Sequence, residues 1–283
     1  MSPATDPRIG RRESAKLNGS LWVWISVAAA LVAVLGNIVG LMVPAIYARL
    51  TPAFLAQAYA QDVANVALVA PAWLVLAALT LRGSVRARLL WLGVLLFAVY
   101  NYVIYTLSVP FGPLFLLWVA VLGLSFYALL GGILTTDQEQ AAASLQNRLA
   151  SRVTGWVLLV LAVLFAALWL SEDVPALLSG TTPASVVDLG IPTNVVHVLD
   201  LAFFLPGAAV CGILLLRGRA VGYALAPGFL AFLVLTGMPI VLTPIVQSAR
   251  GEPAQWGVTG PIGILSLMLL GLLVWLLTER PKA

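Results

Sequence analysis

Residues 89–136 read LLWLGVLLFAVYNYVIYTLSVPFGPLFLLWVAVLGLSFYALLGGILTT, and none of them is charged. A helix rises about 1.5 Å per residue, so about 20 apolar residues cross the roughly 30 Å hydrocarbon layer of a bilayer. The run is long enough to cross twice. Its one natural break is Val109-Pro110-Phe111-Gly112-Pro113. Prolines stop one helix and suit the first turn of the next, so two antiparallel membrane helices joined by a tight turn are expected, the second opening at Gly112-Pro113.

Outward from this pair, apolar stretches bounded by charges predict spans over 20–43, 59–81, 88–109, 112–134, 153–171, 193–216, 220–246 and 259–278. The fold class expected is all-α integral membrane with eight transmembrane helices. Composition agrees: the 283 residues are 61% hydrophobic and 9% charged, against about 25% charged in soluble domains. Such a chain cannot cover a water-facing surface, and a bilayer is its natural partner. A single cysteine, Cys211, excludes an internal disulfide. The long uncharged stretch after Lys16 reads as an uncleaved first span rather than a secretory signal.

The net charge of +4 is explained by topology and calls for no nucleic-acid partner. With the N-terminus inside, 13 of the 15 basic residues fall on the inner side, and only Arg49 and Arg250 lie outside. The outer loop 172–192 carries Glu172, Asp173 and Asp188. Both termini are expected to be cytoplasmic, in a plasma membrane such as the inner membrane of a bacterium.

An internal repeat is expected as well. Val43-Pro44-Ala45 and Thr51-Pro52-Ala53 return, with the same gap between them, as Val174-Pro175-Ala176 and Thr182-Pro183-Ala184. Asp62 to Ala67, Pro71 and Arg82-Gly83 return at one constant offset as His197 to Ala202, Pro206 and Arg217-Gly218. Gly112-Pro113 and Gly123 return, evenly spaced again, as Gly260-Pro261 and Gly271. Three blocks in the same order predict two parallel four-helix repeats. The expected organisation is a cytoplasmic tail 1–19, a first repeat 20–134, a cytoplasmic linker 135–152, a second repeat 153–278 and a tail 279–283. Gly36 and Gly40 of the first span, spaced for close helix approach, become Ala167 and Ser171 in the fifth.

Ionisable groups within spans are costly and point to function. Asp62 and Asn65 lie three apart on the second span, His197 and Asp200 three apart on the sixth, so each helix presents a polar pair on one face. Asn65 and Asp200 are each 17 residues from the arginine ending their span, roughly 25 Å along the axis, just beneath the outer surface. Asn37 falls at a similar depth, and Asn101 and Tyr102 only slightly deeper. Asp62, Asn65, His197, Asp200, Asn37, Asn101 and Tyr102 are therefore the expected ligand- or ion-binding residues. The same residues also read as glue, with His197 bridging to an aspartate to hold the second and sixth spans together. Tyr100, Tyr102, Tyr105 and Phe111 read equally as an outer aromatic belt, and Trp22, Trp24, Trp91, Trp156 and Trp275 as an inner one.

No phosphate-binding glycine loop, Gly-x-Ser-x-Gly elbow or paired haem-ligating histidine is present. No cofactor, metal site or catalytic residue is assigned. The function expected is transporter-like, with a proton- or cation-linked polar site near the outer face. Pro227, Gly237-Met238-Pro239 and Pro244 are expected to kink or interrupt the seventh span beside it. One alternative is a membrane subunit or sensor acting through a partner subunit or as a homo-oligomer. Another is an intramembrane enzyme acting on a lipid or quinone, with His197 as acid or base oriented by Asp200 or Asp62.

Overall fold

A computed structural model describes residues 7–145, 147–254 and 256–278, with side chains from residue 19 onward. Arg8, Arg11, Arg12, Lys16, Arg280 and Lys282 of the inner basic set lie outside the described side chains. Eight helices are long and apolar enough to cross a membrane: α1 Pro7–Met42, α2 Pro52–Leu81, α3 Val85–Ser108, α4 Phe115–Leu134, α5 Arg148–Ser179, α6 Val195–Leu216, α7 Ala220–Ala249 and α8 Thr259–Leu277. Among the described residues there is no strand. The chain is a multi-pass, all-helical membrane protein.

The helix boundaries follow local chemistry. Thr51 Oγ1 accepts the Phe54 N–H with Pro52 in the first turn, Ser84 accepts from Ala87, and Asn147 from Ala150. Asn194 Oδ1 accepts from both Val196 and His197. Each satisfies amide groups that a helix start leaves without partners. In the linker, Asp137 caps a short helix over Gln138–Ser144.

Several boundaries differ from expectation: α1 begins at Pro7, α2 at Pro52 and α5 at Arg148, ahead of the expected 20, 59 and 153. The turn after α3 is longer than the Pro/Gly signal suggests, and α4 opens at Phe115, after the Gly112 carbonyl accepts from Phe115 N–H. Helix α5 continues to Ser179, through Pro175, and ends at Gly180 with φ 66°. Glu172 and Asp173 are therefore helical, not part of a loop. A helix need not stop where its apolar run stops, because a helix emerging into water keeps its own backbone bonds.

Helices α2 and α6 each contain one π turn, over Asn65–Val69 and Asp200–Phe204. The Ala70 N–H reaches back five residues to the Asn65 carbonyl, and the Leu205 N–H to the Asp200 carbonyl. The cause is the next residue, Pro71 or Pro206. A proline ring cannot donate and crowds the carbonyl four residues earlier, here Ala67 or Ala202, and a widened turn relieves that crowding. The prolines of α7 do not interrupt it: Ala220–Ala249 is one helix.

Helix α3 is the centre of the bundle. In its most apolar stretch 67% of the residues are buried inside the protein, against 28–39% in the other seven spans. It packs on α2, α4 and α7, while α1 lies on α2 and α4, α5 on α6, and α8 on α7. Helices α3 and α7 cross at Gly93 and Gly228, so closely that a Cβ on Gly93 would sit 2.5 Å from the Gly228 carbonyl oxygen. Helix α2 is packed against α7, and the start of α6 against α3.

Candidate functional site

The expected polar residues separate into two clusters with different neighbours. The first lies between α1, α2 and α3. Asp62 is fully buried. Its Oδ1 accepts from the Tyr105 hydroxyl at 2.6 Å and its Oδ2 from the Tyr47 hydroxyl at 2.8 Å. Tyr47 stands in the 43–51 connection, buried by its edge-on contact with Tyr59 and by the loop. Burial, and then the Asp62 carboxylate, push its phenol well above the usual tyrosine range, so the hydroxyl keeps its proton and serves as a donor.

Gly40 on α1 makes room for this arrangement. A Cβ there would overlap Asp62 Oδ2 and come within 2.7 Å of the Tyr47 hydroxyl. Its four-residue neighbour Gly36 admits Leu117 of α4 in the same way. The Gly36/Gly40 spacing thus seats one packing contact and one polar contact. Among the described residues no lysine or arginine pairs with Asp62.

One turn deeper, Gln61 donates to Asn65 Oδ1 at 3.0 Å, Asn65 to Asn37 Oδ1 at 3.0 Å, and Asn37 to the Tyr102 hydroxyl at 3.1 Å. Tyr102 and Tyr105 stack with centroids 5.6 Å apart, and Tyr105 rests on Trp118. Asn37, Asn65 and Tyr102 thus form one hydrogen-bonded chain, linked to the Asp62 group through the Tyr102–Tyr105 ring stack, with Asn101 beside it in the same buried region.

The second cluster lies between α5 and α6. His197 Nδ1 faces both oxygens of Asp173, at 3.0 and 3.1 Å, and its Nε2 is 3.8 Å from Glu172. The ring stacks on Trp169, centroids 4.4 Å apart, and Trp169 Nε1 donates to Asp200 Oδ2 at 2.8 Å. The expected His197–Asp200 pair is therefore joined through Trp169 rather than by a direct hydrogen bond. The expected bridge from His197 to an aspartate of the second span is replaced by one to the fifth. With Nδ1 on Asp173, the orientation expected for His197 as an acid or base, by Asp200 or Asp62, does not occur.

Several residues here were not legible beforehand. Tyr105 has the position of an outer-belt aromatic, yet it is 3% exposed and bonds Asp62. Trp91 has the position of an inner-belt one, yet it is fully buried and donates to Ser26. Tyr47 and Trp169 carried no signal beyond their residue type, and Glu172 and Asp173 read only as acidic residues of an outer loop. The one available hint was spacing: Trp169 and Asp173 are four apart, as are Asn101 and Tyr105, so each pair shares a helix face.

Compared with protein-family models, with curated proteins and with solved structures, the chain matches none. Asp62 is an acceptor held by two neutral donors, with hydrogen-bonded amides beneath it. Among the described residues no group of three or more His, Cys, Asp or Glu is placed to hold a metal ion.

Proposed function

We propose that this is a transporter-like protein of the plasma membrane, with a proton- or cation-linked site centred on Asp62 near the outer face. The observation that carries the reading is the carboxylate itself: fully buried, bonded by two tyrosine hydroxyls and unpaired with any described basic residue. An ionised carboxylate out of water is costly unless a positive charge accompanies it. A proton or a small cation is the partner that such a pocket accepts.

In this reading the chain is a duplicated unit, α1–α4 and α5–α8, entering the membrane in the same direction with both termini cytoplasmic. Two correspondences support duplication beyond the sequence blocks. The π turns begin at Asn65 and Asp200, separated by the same offset that carries Asp62 to His197. Gly93 and Gly228 are separated by that offset too, and they touch each other. A residue packed against its own counterpart is what a twofold axis between copies requires. Duplicated helical units meeting at such an axis are common among transporters. The inner-side clustering of arginine supports the orientation.

The test is ion flux. Purified protein in proteoliposomes, loaded with a pH-sensitive dye and polarised by a valinomycin potassium gradient, should acidify faster than protein-free vesicles. Asp62→Asn should remove the difference. Uptake of radiolabelled sodium or potassium into vesicles prepared without valinomycin separates proton from cation. Wild-type vesicles that pass none of these ions, with no change in melting temperature across pH and the cation series, would favour the membrane-subunit alternative.

A further inference from the structure

Below Asp62 lies a small cavity between α1, α2 and α3, lined by Asn37, Asn65, Trp73, Phe97, Asn101 and Tyr102 among others. It is about the size that holds one water molecule. Trp73 is 1% exposed and Asn101 3% exposed. Both carry a buried donor, Trp73 Nε1 and Asn101 Nδ2, with no hydrogen-bond partner. Buried donors without partners are rare and each calls for an explanation. Both belong to residues that line one cavity, and one partner there would explain both.

Most of the wall is apolar, and its unengaged polar groups are donors. An indole N–H can only donate. The amides of Asn37 and Asn65 are engaged with each other and with Tyr102 and Gln61. Tyr102 accepts from Asn37 and retains its own proton to give. A metal cation placed here would meet N–H groups. An acceptor would satisfy them.

Depth adds a second argument. Trp73 is nine residues before Arg82, about 13 Å along the helix, which is near the middle of a hydrocarbon layer about 30 Å thick. Asp62, Asn65 and Trp73 descend α2 from the outer boundary to that level. The shallow polar pair therefore has a continuation at the depth where transporters hold their cargo.

We infer that this cavity is the deep end of the Asp62 site and holds one water molecule, received as a hydrogen-bond acceptor by Trp73 and Asn101. Its role rests on the Asp62 reading; its existence rests on the two donors. A water there would favour the proton over a metal cation as the ion linked to Asp62, because water can relay a proton past groups that repel a cation.

The experiment is ultraviolet resonance Raman spectroscopy of the intact protein in detergent. The difference between wild type and Trp73→Phe isolates the indole N–H band of Trp73, which reports whether that N–H is hydrogen-bonded. A bonded band unchanged by sodium chloride or sodium fluoride identifies water as the acceptor. A bonded band that shifts as halide is added overturns water as the occupant. A band at the unbonded position in every buffer overturns the proposal. If Trp73→Phe does not fold, Asn101→Leu, which removes the other donor, should shift the same band. The spectrum needs no transport. A bonded indole without ion flux retains the cavity and removes the Asp62 reading; flux with an unbonded indole does the reverse.

Discussion

At the scale of single residues, the Asp62 pocket is built from groups that cannot all be spared. Removing one donor leaves a buried oxygen without its partner, which costs about 1–3 kcal/mol. Tyr105→Phe should therefore destabilise the protein by about that amount, read as a lower denaturation midpoint in detergent. Gly40→Ala should be at least as damaging, because its Cβ would enter the space of Asp62 Oδ2. Gly123→Ala is the control: nothing lies within 4 Å of its added Cβ, and alanine in a helix gains about 0.5–1 kcal/mol over glycine. A Gly40→Ala protein that melts with wild type and keeps its flux would remove the glycine from the account. Asp62, Asn65, Asn37 and Tyr102 were legible in the sequence because polar side chains stand out in apolar spans. Tyr47 and Tyr105 were not. A tyrosine near a membrane boundary suits the interface as well as a buried carboxylate, and only its neighbours tell which.

At the scale of elements, the π turns set the direction in which each polar pair faces. A helix turns about 100° per residue, so one extra residue in a turn rotates everything before it relative to everything after. Asp62 precedes the first π turn and Trp73 follows it. Pro71→Ala restores an amide donor and removes the crowding that widens the turn. Closing it would rotate Asp62 away from Tyr47 and Tyr105, so Pro71→Ala should lower the melting temperature and abolish Asp62-dependent flux, although alanine is the better helix former. An unchanged melting curve with flux retained would show that the turn does not depend on its proline. Pro206→Ala is expected to disturb the Trp169–Asp200 bond in the same way, visible as a change in tryptophan fluorescence. The prolines were evident from the sequence and the π turns were not, since a proline can equally kink a helix, end it or widen a turn. Which of these occurs depends on what packs around it.

At the scale of the whole molecule, the α3–α7 crossing holds the two halves together. Gly93→Leu would force a branched side chain against the Gly228 backbone, with overpacking costs of typically about 1–3 kcal/mol or more. It should lower stability and, in the proposed reading, flux together, as measured on the same proteoliposomes. The proposed orientation has its own check. Cys211 is fully buried and gives little background, so cysteines introduced at Gln138 and Ser179 can be labelled with a membrane-impermeant maleimide on intact cells. Ser179→Cys should react from outside and Gln138→Cys only after permeabilisation. The opposite pattern would invert the topology. The proposed duplication has diverged chemically. At the offset that carries Gly93 to Gly228, the counterparts of Trp73, Asn101, Tyr102 and Tyr105 are Ala208, Thr236, Gly237 and Ile240. The deep polar column is confined to the first half, and the counterparts of the first half's polar pair, His197 and Asp200, make their contacts with α5.

By itself the sequence determined that this is a membrane protein, how many helices are long enough to cross, and which apolar stretch each contains, although α1, α2 and α5 extend well beyond those stretches. A bilayer imposes those features one segment at a time, through hydrocarbon thickness and the need of every backbone amide for a partner. It also showed which side chains are polar where polarity is expensive. Only the tertiary structure decided what those side chains meet: Tyr47 and Tyr105 for Asp62, Asp173 and Trp169 for His197, and a water-sized cavity between Trp73 and Asn101. Helical spacing states which residues share a face, and the face acquires a partner only when another helix is packed against it.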